Sequence, residues 1–395
     1  AGCIISSKNL KKNNKKIITV KNSISFLNSF AKFKRKLSSA KIIAVTGSAG
    51  KTSLKNLIKD LLQNLGKTCY SSKSFNNHLG VPISLSNLSF DDKFGVFEVG
   101  MSQAGEIKNL SRLIKPHIGV ITNIGEAHIE NFPSVYGIAK AKSEIIESIS
   151  EGGTIILNRD DKFFNFLSKK AKKYKLQTFT FGFHKKSDIK IKKITKKGDY
   201  SKIFIIINNR IVDLEIRDLN IYNVLASIAV LEVLKIDIKK IKARLKNFES
   251  PEGRGKKYSI TRYKKRFNLI DESYNANPLS VKNAINKLNL IKKEKFKKYL
   301  ILGDMLELGS KSNKYHEQLS KVINNSDIDK VFIKGKKTIF TYKQLNKNKR
   351  GNILQDNEDI DISLGKMISN NDHLMIKGSN ATGLNNFSKK MIKGI

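Results

Sequence analysis

Short apolar runs alternate with longer amphipathic stretches from residue 41 onward. Strand-like runs stand at 41–46, 95–99, 118–124, 154–158 and 202–207. Helix-like stretches lie between them, at 52–65 and at about 104–114, 134–149 and 219–235. Strands separated by helices predict a largely parallel sheet that is covered on both faces.

A second alternation follows residues 250–255, where one proline and two glycines interrupt the helical periodicity. Apolar runs at 267–272, 299–304, 330–335 and 374–378 alternate with helices, one of which starts near residue 278. This pattern predicts a Rossmann-like, doubly wound α/β domain. The first 40 residues are weakly patterned, with short strands expected at 1–6 and 16–20 and a helix from Ser23 to Ala40. We therefore expect an α/β fold with boundaries at 1–40, 41–249 and 250–395.

Composition limits the class of protein. A chain of 395 residues, 39% of them hydrophobic, is long enough for two or three packed domains. No apolar run is long enough to span a membrane, and the first residues lack the order of a signal peptide. The two cysteines, Cys3 and Cys69, cannot form a disulfide framework or a zinc site alone. We expect a cytoplasmic protein.

The formal net charge of +41 has two interpretations. It could serve nucleic-acid binding, or it could reflect a compositional bias toward AT-rich codons. The lysines are spread from Lys8 to Lys393, and the aromatic residues do not interleave with them in an RNA-binding signature. We therefore expect no nucleic-acid partner, although a positive field would still favour a small anionic substrate.

The segment VTGSAGKTS (45–53) lies between a predicted strand and a predicted helix. In that position, a glycine-rich loop holds phosphate groups with backbone N–H groups at a helix N-terminus. The strict phosphate-loop pattern requires glycine at position 45, where this chain has valine, so only the shorter T-G-x-x-G-K-T form is present. The predicted nucleotide-binding residues are Gly47, Ser48, Ala49, Gly50, Lys51, Thr52 and Ser53. Lys51 would reach the β- and γ-phosphates, and the Thr52 hydroxyl would bind Mg²⁺.

Two further candidates follow predicted strands of the same domain. Glu98 ends one of these strands, where its carboxylate could hold Mg²⁺. His128 comes shortly after another, in the segment EAHIE. A single histidine is more often structural, but its place beside a predicted ATP site favours a metal role.

Several longer motifs accompany the phosphate loop in a fixed order. They are FNNHLGVPISL (75–85), FEVGMSQAGEI (97–107), ITNIGEAHIENFPSVYGIAKAKSEI (121–145), LIDESYNANPLSVKNAI (269–285), LGDMLELG (302–309) and KGSNATG (377–383). Together they resemble the central and C-terminal domains of the Mur ligase family, from about residue 41 to the end. Within that family, the chain is most similar to members that join D-alanyl-D-alanine to UDP-N-acetylmuramoyl-tripeptide.

The resemblance implies roles for residues that chemistry alone would not single out. Lys142, rather than the neighbouring Lys140, corresponds to the lysine that these enzymes carbamylate to bridge Mg²⁺. It implies ATP contacts for Asn77, Asn223 (adenine), Asp271 (ribose) and Arg254 (phosphates). It also implies that Asn275, Asn277 and Pro278 line the dipeptide pocket, although an Asn-Pro pair is also an ordinary helix start.

Three departures from the family pattern bear on these expectations. Leu219 stands where the adenine motif usually has histidine, and Asn380 stands where arginine usually follows K-G-S. The phosphate loop begins only about 45 residues into the chain, whereas family members place a UDP-sugar-binding domain before it. Residues 1–40 are therefore expected to be the last part of that domain and a linker.

The implied reaction uses ATP and Mg²⁺, and a monomer is expected. ATP would phosphorylate the terminal carboxylate of the tripeptide, and the amine of D-alanyl-D-alanine would then attack the acyl phosphate. The alternatives are another Mur ligase, a folylpolyglutamate synthase-like ligase, a basic nucleic-acid-binding ATPase, or an inactive fragment that binds ATP. The sequence leaves open whether the third residue of the peptide is diaminopimelate or lysine.

Overall fold

The computed structural model describes residues 2–8, 10, 16–197 and 200–394. The chain forms two compact units. The first comprises Ala1–Ile124 and Ala139–Phe248, and the second comprises Gly125–Ile138 and Glu249–Ile395. Ala1, at the start of the strand expected over 1–6, lies outside the described residues.

The first unit contains strands β1 to β11 and helices α1 to α8, except that the first four residues of α5 belong to the second unit. The strands are β1 (Ile4–Ser6), β2 (Ile17–Thr19), β3 (Lys41–Thr46), β4 (Thr68–Tyr70), β5 (Phe94–Glu98), β6 (Ile118–Ile121), β7 (Thr154–Asn158), β8 (Gln177–Gly182), β9 (Ile189–Lys197), β10 (Tyr200–Ile207) and β11 (Arg210–Ile216). The helices are α1 (Ser23–Leu37), α2 (Lys51–Gln63), α3 (Gly80–Ser86), α4 (Glu106–Ile114), α5 (Val135–Lys142), α6 (Phe164–Lys173), α7 (Ile221–Val233) and α8 (Lys242–Asn247).

Nine of these strands form one sheet, in the order β11-β10-β9-β8-β7-β6-β3-β5-β4. From β4 to β9 every neighbouring pair is parallel, as the apolar runs predict. The β9–β10 and β10–β11 pairs are antiparallel, and a two-residue turn at Asn208 and Asn209 joins β10 to β11. Helices α2 and α7 supply much of the core, since their apolar residues are buried with those of β3 and β6. The carboxyl ends of β3, β5 and β6 therefore meet at one edge of the sheet.

The second unit contains strands β12 to β17 and helices α9 to α13. The strands are β12 (Lys256–Arg262), β13 (Lys265–Glu272), β14 (Lys298–Gly303), β15 (Lys330–Lys334), β16 (Arg350–Leu354) and β17 (His373–Lys377). The helices are α9 (Pro278–Asn289), α10 (Ser312–Asn324), α11 (Thr338–Lys343), α12 (Asn357–Met367) and α13 (Leu384–Lys393). The sheet order is β12-β13-β17-β14-β15-β16, and all pairs except β12–β13 are parallel. This is the doubly wound arrangement that the sequence predicts.

Two elements are shorter than the pattern predicts, and both changes affect the candidate site. Strand β6 ends at Ile121, so Thr122 and Asn123 leave the sheet and contact the loop after β3. The helix predicted over 134–149 is α-helical only from Val135 to Lys142 and continues as a 3₁₀ helix over Ser143–Ser148. Among the described residues, no helix is long and apolar enough to cross a membrane.

His316 on α10 joins this helix to the loop that follows β14. Its ring is fully buried, with Nδ1 2.8 Å from the Ser312 carbonyl oxygen and Nε2 accepting the backbone N–H of Met305 at 3.0 Å. A neutral ring with its proton on Nδ1 satisfies both contacts, whereas a second proton would remove the acceptor for Met305. Burial lowers the pKa of His316 from its ordinary value of 6.5.

This arrangement predicts that the protein becomes less stable in mild acid. Because the pKa of His316 is lower in the fold than in the unfolded chain, the unfolded state binds more protons below about pH 6.5. The free energy of unfolding should therefore fall as the pH drops below that value, by up to about 1.4 kcal/mol per pH unit for one group. Urea unfolding between pH 5 and pH 8 measures the slope. His316→Gln should reduce it, and a smaller slope should remain because burial also lowers the pKa of His117. An unchanged slope in His316→Gln would contradict this role.

Candidate active site

The loop between β3 and α2 is held in a tight curve by backbone and side-chain hydrogen bonds. The Lys51 ammonium donates to the carbonyl oxygen of Gly47 at 2.8 Å, across the mouth of the loop. Gly47 and Gly50 have φ angles of +145° and +82°, a region that residues with a Cβ rarely adopt. The loop leads directly into α2, so backbone N–H groups of the first turn point toward the curve. The structure thus places Gly47–Lys51 in a tight curve at the N-terminus of α2.

Thr122 and Asn123, which were not predicted as site residues, hold this loop in place through hydrogen bonds. The Asn123 side chain accepts the N–H of Ala49 at 2.8 Å and donates to the Ala49 carbonyl oxygen at 3.1 Å. The Thr122 hydroxyl donates to the same carbonyl oxygen at 2.7 Å, and the N–H of Ser48 donates to the Asn123 carbonyl at 3.0 Å. Both residues directly follow a buried strand that neighbours β3, and this position could have identified them as candidates from the sequence.

The close approach of Thr122 predicts a large cost for any side chain at Gly47. A Cβ at Gly47 would lie 1.9 Å from the Thr122 hydroxyl oxygen. We expect Gly47→Ala to lower the free energy of unfolding by about 1–3 kcal/mol through overpacking, in addition to backbone strain. Gly105→Ala is the matched control, because Gly105 also has a positive φ, +86°, but its Cβ would meet nothing within 4 Å. That control should cost only the strain, about 1–2 kcal/mol. Equal urea-denaturation midpoints would contradict the steric argument.

Asn223 lies at the start of α7, against the end of the same loop. It is buried, its backbone N–H donates to the side chain of Asn220, which caps α7, and its side-chain amide lies 3.5 Å from the Gly50 carbonyl oxygen. Among the other predicted loop residues, Ser48 and Thr52 are buried and Ser53 is half-buried. The structure therefore brings the amide of Asn223 to the loop.

Glu98 ends β5 next to the phosphate loop, because Val45 of β3 is its partner in the sheet. Its side chain is 1% exposed, and Oε1 accepts a hydrogen bond from the Asn76 amide at 2.7 Å. Oε2 is buried and has no hydrogen-bond partner among the described residues. The side-chain oxygen of the predicted ATP residue Asn77 accepts the N–H of Gly80, the first residue of α3, at 2.9 Å. Of the paired asparagines, Asn76 is the one that contacts the buried carboxylate.

Lys142 is the last residue of α5 and is 1% exposed, whereas Lys140 is exposed. Burial, together with the positive charge of nearby Lys51, lowers the pKa of Lys142 well below its ordinary value of 10.5. Across the described part of the chain, no hydrogen bond or ion pair of the Lys142 amine is present. Burial therefore favours the neutral, nucleophilic form of this amine.

His128 belongs to the second unit, with the segment Gly125–Ile138. Its φ is +57°, and its Nδ1 lies 2.7 Å from a carboxylate oxygen of Glu307, without the alignment of a hydrogen bond. The backbone N–H of Glu130 also donates to the carbonyl oxygen of Glu307 at 3.3 Å. Carboxylate contact at one ring nitrogen is a common way of orienting the other nitrogen toward a ligand.

Asp271 and Arg254 lie together near the start of the second unit. The buried Asp271 carboxylate accepts the N–H of Gly253 at 2.9 Å and both the N–H and the hydroxyl of Ser273, at 3.2 and 2.5 Å. The Arg254 guanidinium lies 4.2 Å from the centroid of the Tyr274 ring. Three internal donors therefore fix the Asp271 carboxylate and shape the turn that carries Arg254.

The loop that contains the predicted dipeptide residues ends in a helix cap. Asn277 accepts the N–H of Ser280 at 2.8 Å, and Pro278 is the first residue of α9. Asn275 is exposed, and its carbonyl oxygen accepts the ammonium of Lys377 at 2.5 Å. Lys377, which the sequence analysis did not single out, is fully buried, and burial lowers its pKa. It ties the end of β17 to this loop.

One buried oxygen atom of the candidate site is a suitable ligand for Mg²⁺. The buried, unpartnered Glu98 Oε2 beside the phosphate loop is a hard oxygen donor of the kind that Mg²⁺ prefers. No cluster of three His, Cys, Asp or Glu side chains occurs in the described ranges. Mg²⁺ commonly uses one or two carboxylates together with substrate phosphates. The residues present therefore fit a cation that binds with the nucleotide.

Comparison with known proteins identifies the family. The Mur ligase middle domain matches residues 45–231, and the Mur ligase glutamate ligase domain matches residues 259–380. The UDP-N-acetylmuramoyl-tripeptide–D-alanyl-D-alanine ligase of Rickettsia prowazekii is 33% identical over 389 residues, 97% of this chain and 85% of that protein. The chain belongs to the Mur ligase family. The ligase of the same name from Bacillus subtilis is 30% identical, covering 96% of this chain and 82% of that protein.

Solved structures of Mur ligases share this fold. MurF from Acinetobacter baumannii superposes with a TM-score of 0.86 at 24% identity, over 98% of this chain and 84% of that one. MurF from Thermotoga maritima, in complex with ADP, gives a TM-score of 0.85 at 24% identity, over 100% of this chain and 88% of that one. At this level of identity the likeness establishes the α/β architecture of a Mur ligase.

Proposed function

We propose that this Mur ligase joins D-alanyl-D-alanine to UDP-N-acetylmuramoyl-tripeptide and converts ATP to ADP and phosphate, in the synthesis of a peptidoglycan precursor. The observation that carries the proposal is the relative of that name, which is 33% identical across nearly the whole of this chain. The phosphate loop and the buried Glu98 support it, because both are groups that a phosphoryl-transfer reaction needs.

The reaction would proceed in two steps. The terminal carboxylate of the tripeptide attacks the γ-phosphorus of ATP, ADP leaves, and an acyl phosphate forms. The amine of D-alanyl-D-alanine then attacks the acyl carbon, and phosphate leaves with the electron pair of the broken C–O bond as the amine loses its proton. Lys51 would offset negative charge on the transferring phosphoryl group, and backbone N–H groups at the start of α2 would hold the phosphates.

We assign Mg²⁺ binding to the Thr52 hydroxyl, to Glu98 and to a carbamate on Lys142, with His128 as a further ligand. When bound, Mg²⁺ supplies charge neutralisation at the phosphate oxygens. Asn76 would hold Glu98 in position through its 2.7 Å hydrogen bond. For His128, the contact of Nδ1 with Glu307 supports a ligand role of the other nitrogen.

We assign the remaining contacts by the family pattern. Asn223 would read the adenine, Asp271 the ribose, and Arg254 the phosphates. The turn that begins at Asn275 would line the dipeptide pocket, with Asn277 and Pro278 starting the helix behind it. Asn77 would act indirectly, since its side chain binds the N–H of Gly80 at the start of α3, beside Asn76. We further propose a cytoplasmic monomer that uses no nucleic acid.

The direct test is the substrate dependence of ADP release. We expect sustained, multiple-turnover release only when ATP, Mg²⁺, UDP-N-acetylmuramoyl-tripeptide and D-alanyl-D-alanine are all present, because the second step consumes the acyl phosphate and frees the enzyme for another cycle. A coupled ADP assay with each component omitted measures this, with D-alanine alone as the matched control for the dipeptide. Comparing tripeptides that carry diaminopimelate and lysine identifies the third residue. Turnover with glutamate and a folate, and not with these substrates, would replace the proposal with a folylpolyglutamate synthase-like activity.

A further inference from the structure

Lys55 lies on α2 with its side chain fully buried, although lysine is almost never fully buried unless its charge is paired. It follows Lys51 by four residues, so both side chains leave the same face of the helix. The Lys55 ammonium donates to the carbonyl oxygens of Ser71 and Lys73, at 2.7 and 3.0 Å. These two residues belong to the loop after β4, and we call residues 71–76 the β4 loop. A buried charge therefore joins the β4 loop to the helix that begins at the phosphate loop.

The β4 loop contacts both the backbone and the side chain of Glu98. The Ser71 hydroxyl accepts the backbone N–H of Glu98 at 3.1 Å, and the Asn76 amide donates to Glu98 Oε1 at 2.7 Å. The Asn76 carbonyl oxygen also accepts the N–H of Gly100 at 2.8 Å. Both ends of the β4 loop thus hold Glu98, so the conformation of this loop determines where the second carboxylate oxygen, Oε2, lies.

The backbone of the β4 loop is strained at a residue that Lys55 holds. Lys73 has a φ of +44°, in the left-handed region that residues with a Cβ rarely adopt. Such a conformation persists only where surrounding contacts fix it. Here the N–H of Ser71 donates to the Val96 carbonyl oxygen at 3.1 Å, and the Lys55 ammonium binds the carbonyl oxygen of Lys73. Loss of the ammonium would release the strained turn between Ser71 and Asn76.

We propose that Lys55 is a positioning residue that holds the Glu98 carboxylate in place for Mg²⁺ binding beside the phosphate loop. This role rests on the proposed function, since the metal belongs to that reaction. Lys55 acts through the β4 loop rather than on the metal itself. It fixes the loop relative to α2, and the loop fixes Glu98 through Ser71 and Asn76. Contacts that orient a metal ligand from outside in this way commonly determine how well the metal binds.

A role for Lys55 in helix packing alone fits the observations less well. A buried ammonium loses its hydration, and an apolar side chain of similar length would avoid that cost. Helix α2 already has apolar core residues on either side of Lys55, namely Leu54, Leu57 and Ile58. The charge at position 55 is therefore better explained by the loop that it holds.

Hydrogen exchange of the protein without nucleotide or metal tests whether Lys55 holds the β4 loop. Lys55→Met keeps a side chain of similar length and removes the charge. We expect exchange about tenfold faster in peptides that cover 71–76 and 98–100, because their hydrogen bonds open more often. Peptides from β6 and α7 should not change. Lys59→Met, one turn farther along α2, is the matched control and should leave the exchange of the β4 loop as in the parent.

The Mg²⁺ dependence of ADP release tests whether this loop positions Glu98. In Lys55→Met, the Mg²⁺ concentration for half-maximal rate should rise about tenfold or more, as is usual when an outer contact of a metal ligand is lost. Asn76→Ala should show the same shift, because it removes the loop's bond to Glu98 Oε1. The KM for D-alanyl-D-alanine should stay unchanged, since its proposed pocket is formed by residues 275–278. Excess Mg²⁺ should restore most of the rate.

A milder variant covers the case in which Lys55→Met does not fold. The amide of Lys55→Gln can still donate to a carbonyl oxygen, so its exchange and its Mg²⁺ requirement should lie between those of the parent and Lys55→Met.

The two measurements together decide the role of Lys55. Faster exchange along the whole of α2, with the same fractional loss of rate at every Mg²⁺ concentration, would show a packing role and overturn the proposal. Unchanged exchange of the β4 loop, or an unchanged Mg²⁺ requirement, would overturn it as well. A parent protein without Mg²⁺-dependent ADP release would contradict the proposed ligase activity, which is distinct from a defect confined to the Lys55 variants.

Discussion

Replacement of Lys51 by alanine should reduce ATP turnover by about 10²–10³-fold or more, while the protein remains folded. The Lys51 ammonium crosses the mouth of the phosphate loop, where it donates to the Gly47 carbonyl oxygen. Once phosphates enter the loop, the same ammonium would offset the charge that develops during transfer. Its loss therefore removes stabilisation from the transition state, and kcat should fall more than the affinity for ATP.

The control for Lys51 lies on the same helix. Lys59 is two turns farther along α2, with its ammonium 4.8 Å from the centroid of the Tyr70 ring. Lys59→Ala should keep normal turnover, and both variants should show the far-ultraviolet circular dichroism of the parent. Turnover of the same size in Lys51→Ala and Lys59→Ala would show that the loop does not serve phosphoryl transfer.

The second large effect is expected at Lys142, which we propose is carbamylated in the active enzyme. A protonated lysine would repel Mg²⁺, whereas the carbamate formed with CO₂ is an anion with two oxygen donors. The reaction requires the neutral amine, since the nitrogen lone pair attacks CO₂ and a proton is released. Burial and the charge of Lys51 lower the pKa of Lys142, so the neutral form is more abundant at neutral pH. Lys142→Ala should therefore lose activity.

Chemical rescue distinguishes the carbamate from a structural lysine. A small carboxylic acid such as acetate, added to Lys142→Ala, would place a carboxylate in the space that the side chain leaves. We expect partial recovery with acetate and no recovery with acetamide, which has a similar shape and no charge. Lys140→Ala, at the exposed neighbouring lysine, should keep full activity. Normal activity of Lys142→Ala together with an inactive Lys140→Ala would show that the assigned lysine is wrong.

Apolar runs with clear boundaries allowed most of the fold to be predicted. Strand β3 is a continuous apolar run between a lysine-rich segment and glycine, and the structure has it at the predicted residues. Strand β9 was not predicted, because the sequence IKIKKITKK is typical of a solvated basic segment. Its pairing with β10 is what makes it a strand. Helix α3 was missed as well, since it is short and contains Pro82. In both cases the tertiary partners, rather than local preference, decide the structure.

Site residues could be predicted from the sequence where a backbone motif specifies them. They were harder to predict where a side chain can form hydrogen bonds with several different partners. The glycines and Lys51 of the phosphate loop follow from the motif alone. Nothing in the pair Asn76 and Asn77 says which amide contacts Glu98, because each could cap a helix or bind a carboxylate. The hydrogen-bond partners of Asp271 could not be predicted either, since they depend on how the turn at Gly253 folds back.

Both units are assembled from separated stretches of chain, and this has a consequence for folding during synthesis. The residues Gly125–Ile138 belong to the second unit, yet the 110 residues Ala139–Phe248 are made before the rest of that unit appears. Until then, Gly125 lacks Leu279, and the backbone of Glu130 lacks its acceptor on Glu307. Until residues 249–395 have been made, the first unit of a nascent chain would therefore carry residues 125–138 as an unfolded loop. Proteases should cut such a nascent chain between residues 125 and 138 and spare that segment in the finished protein.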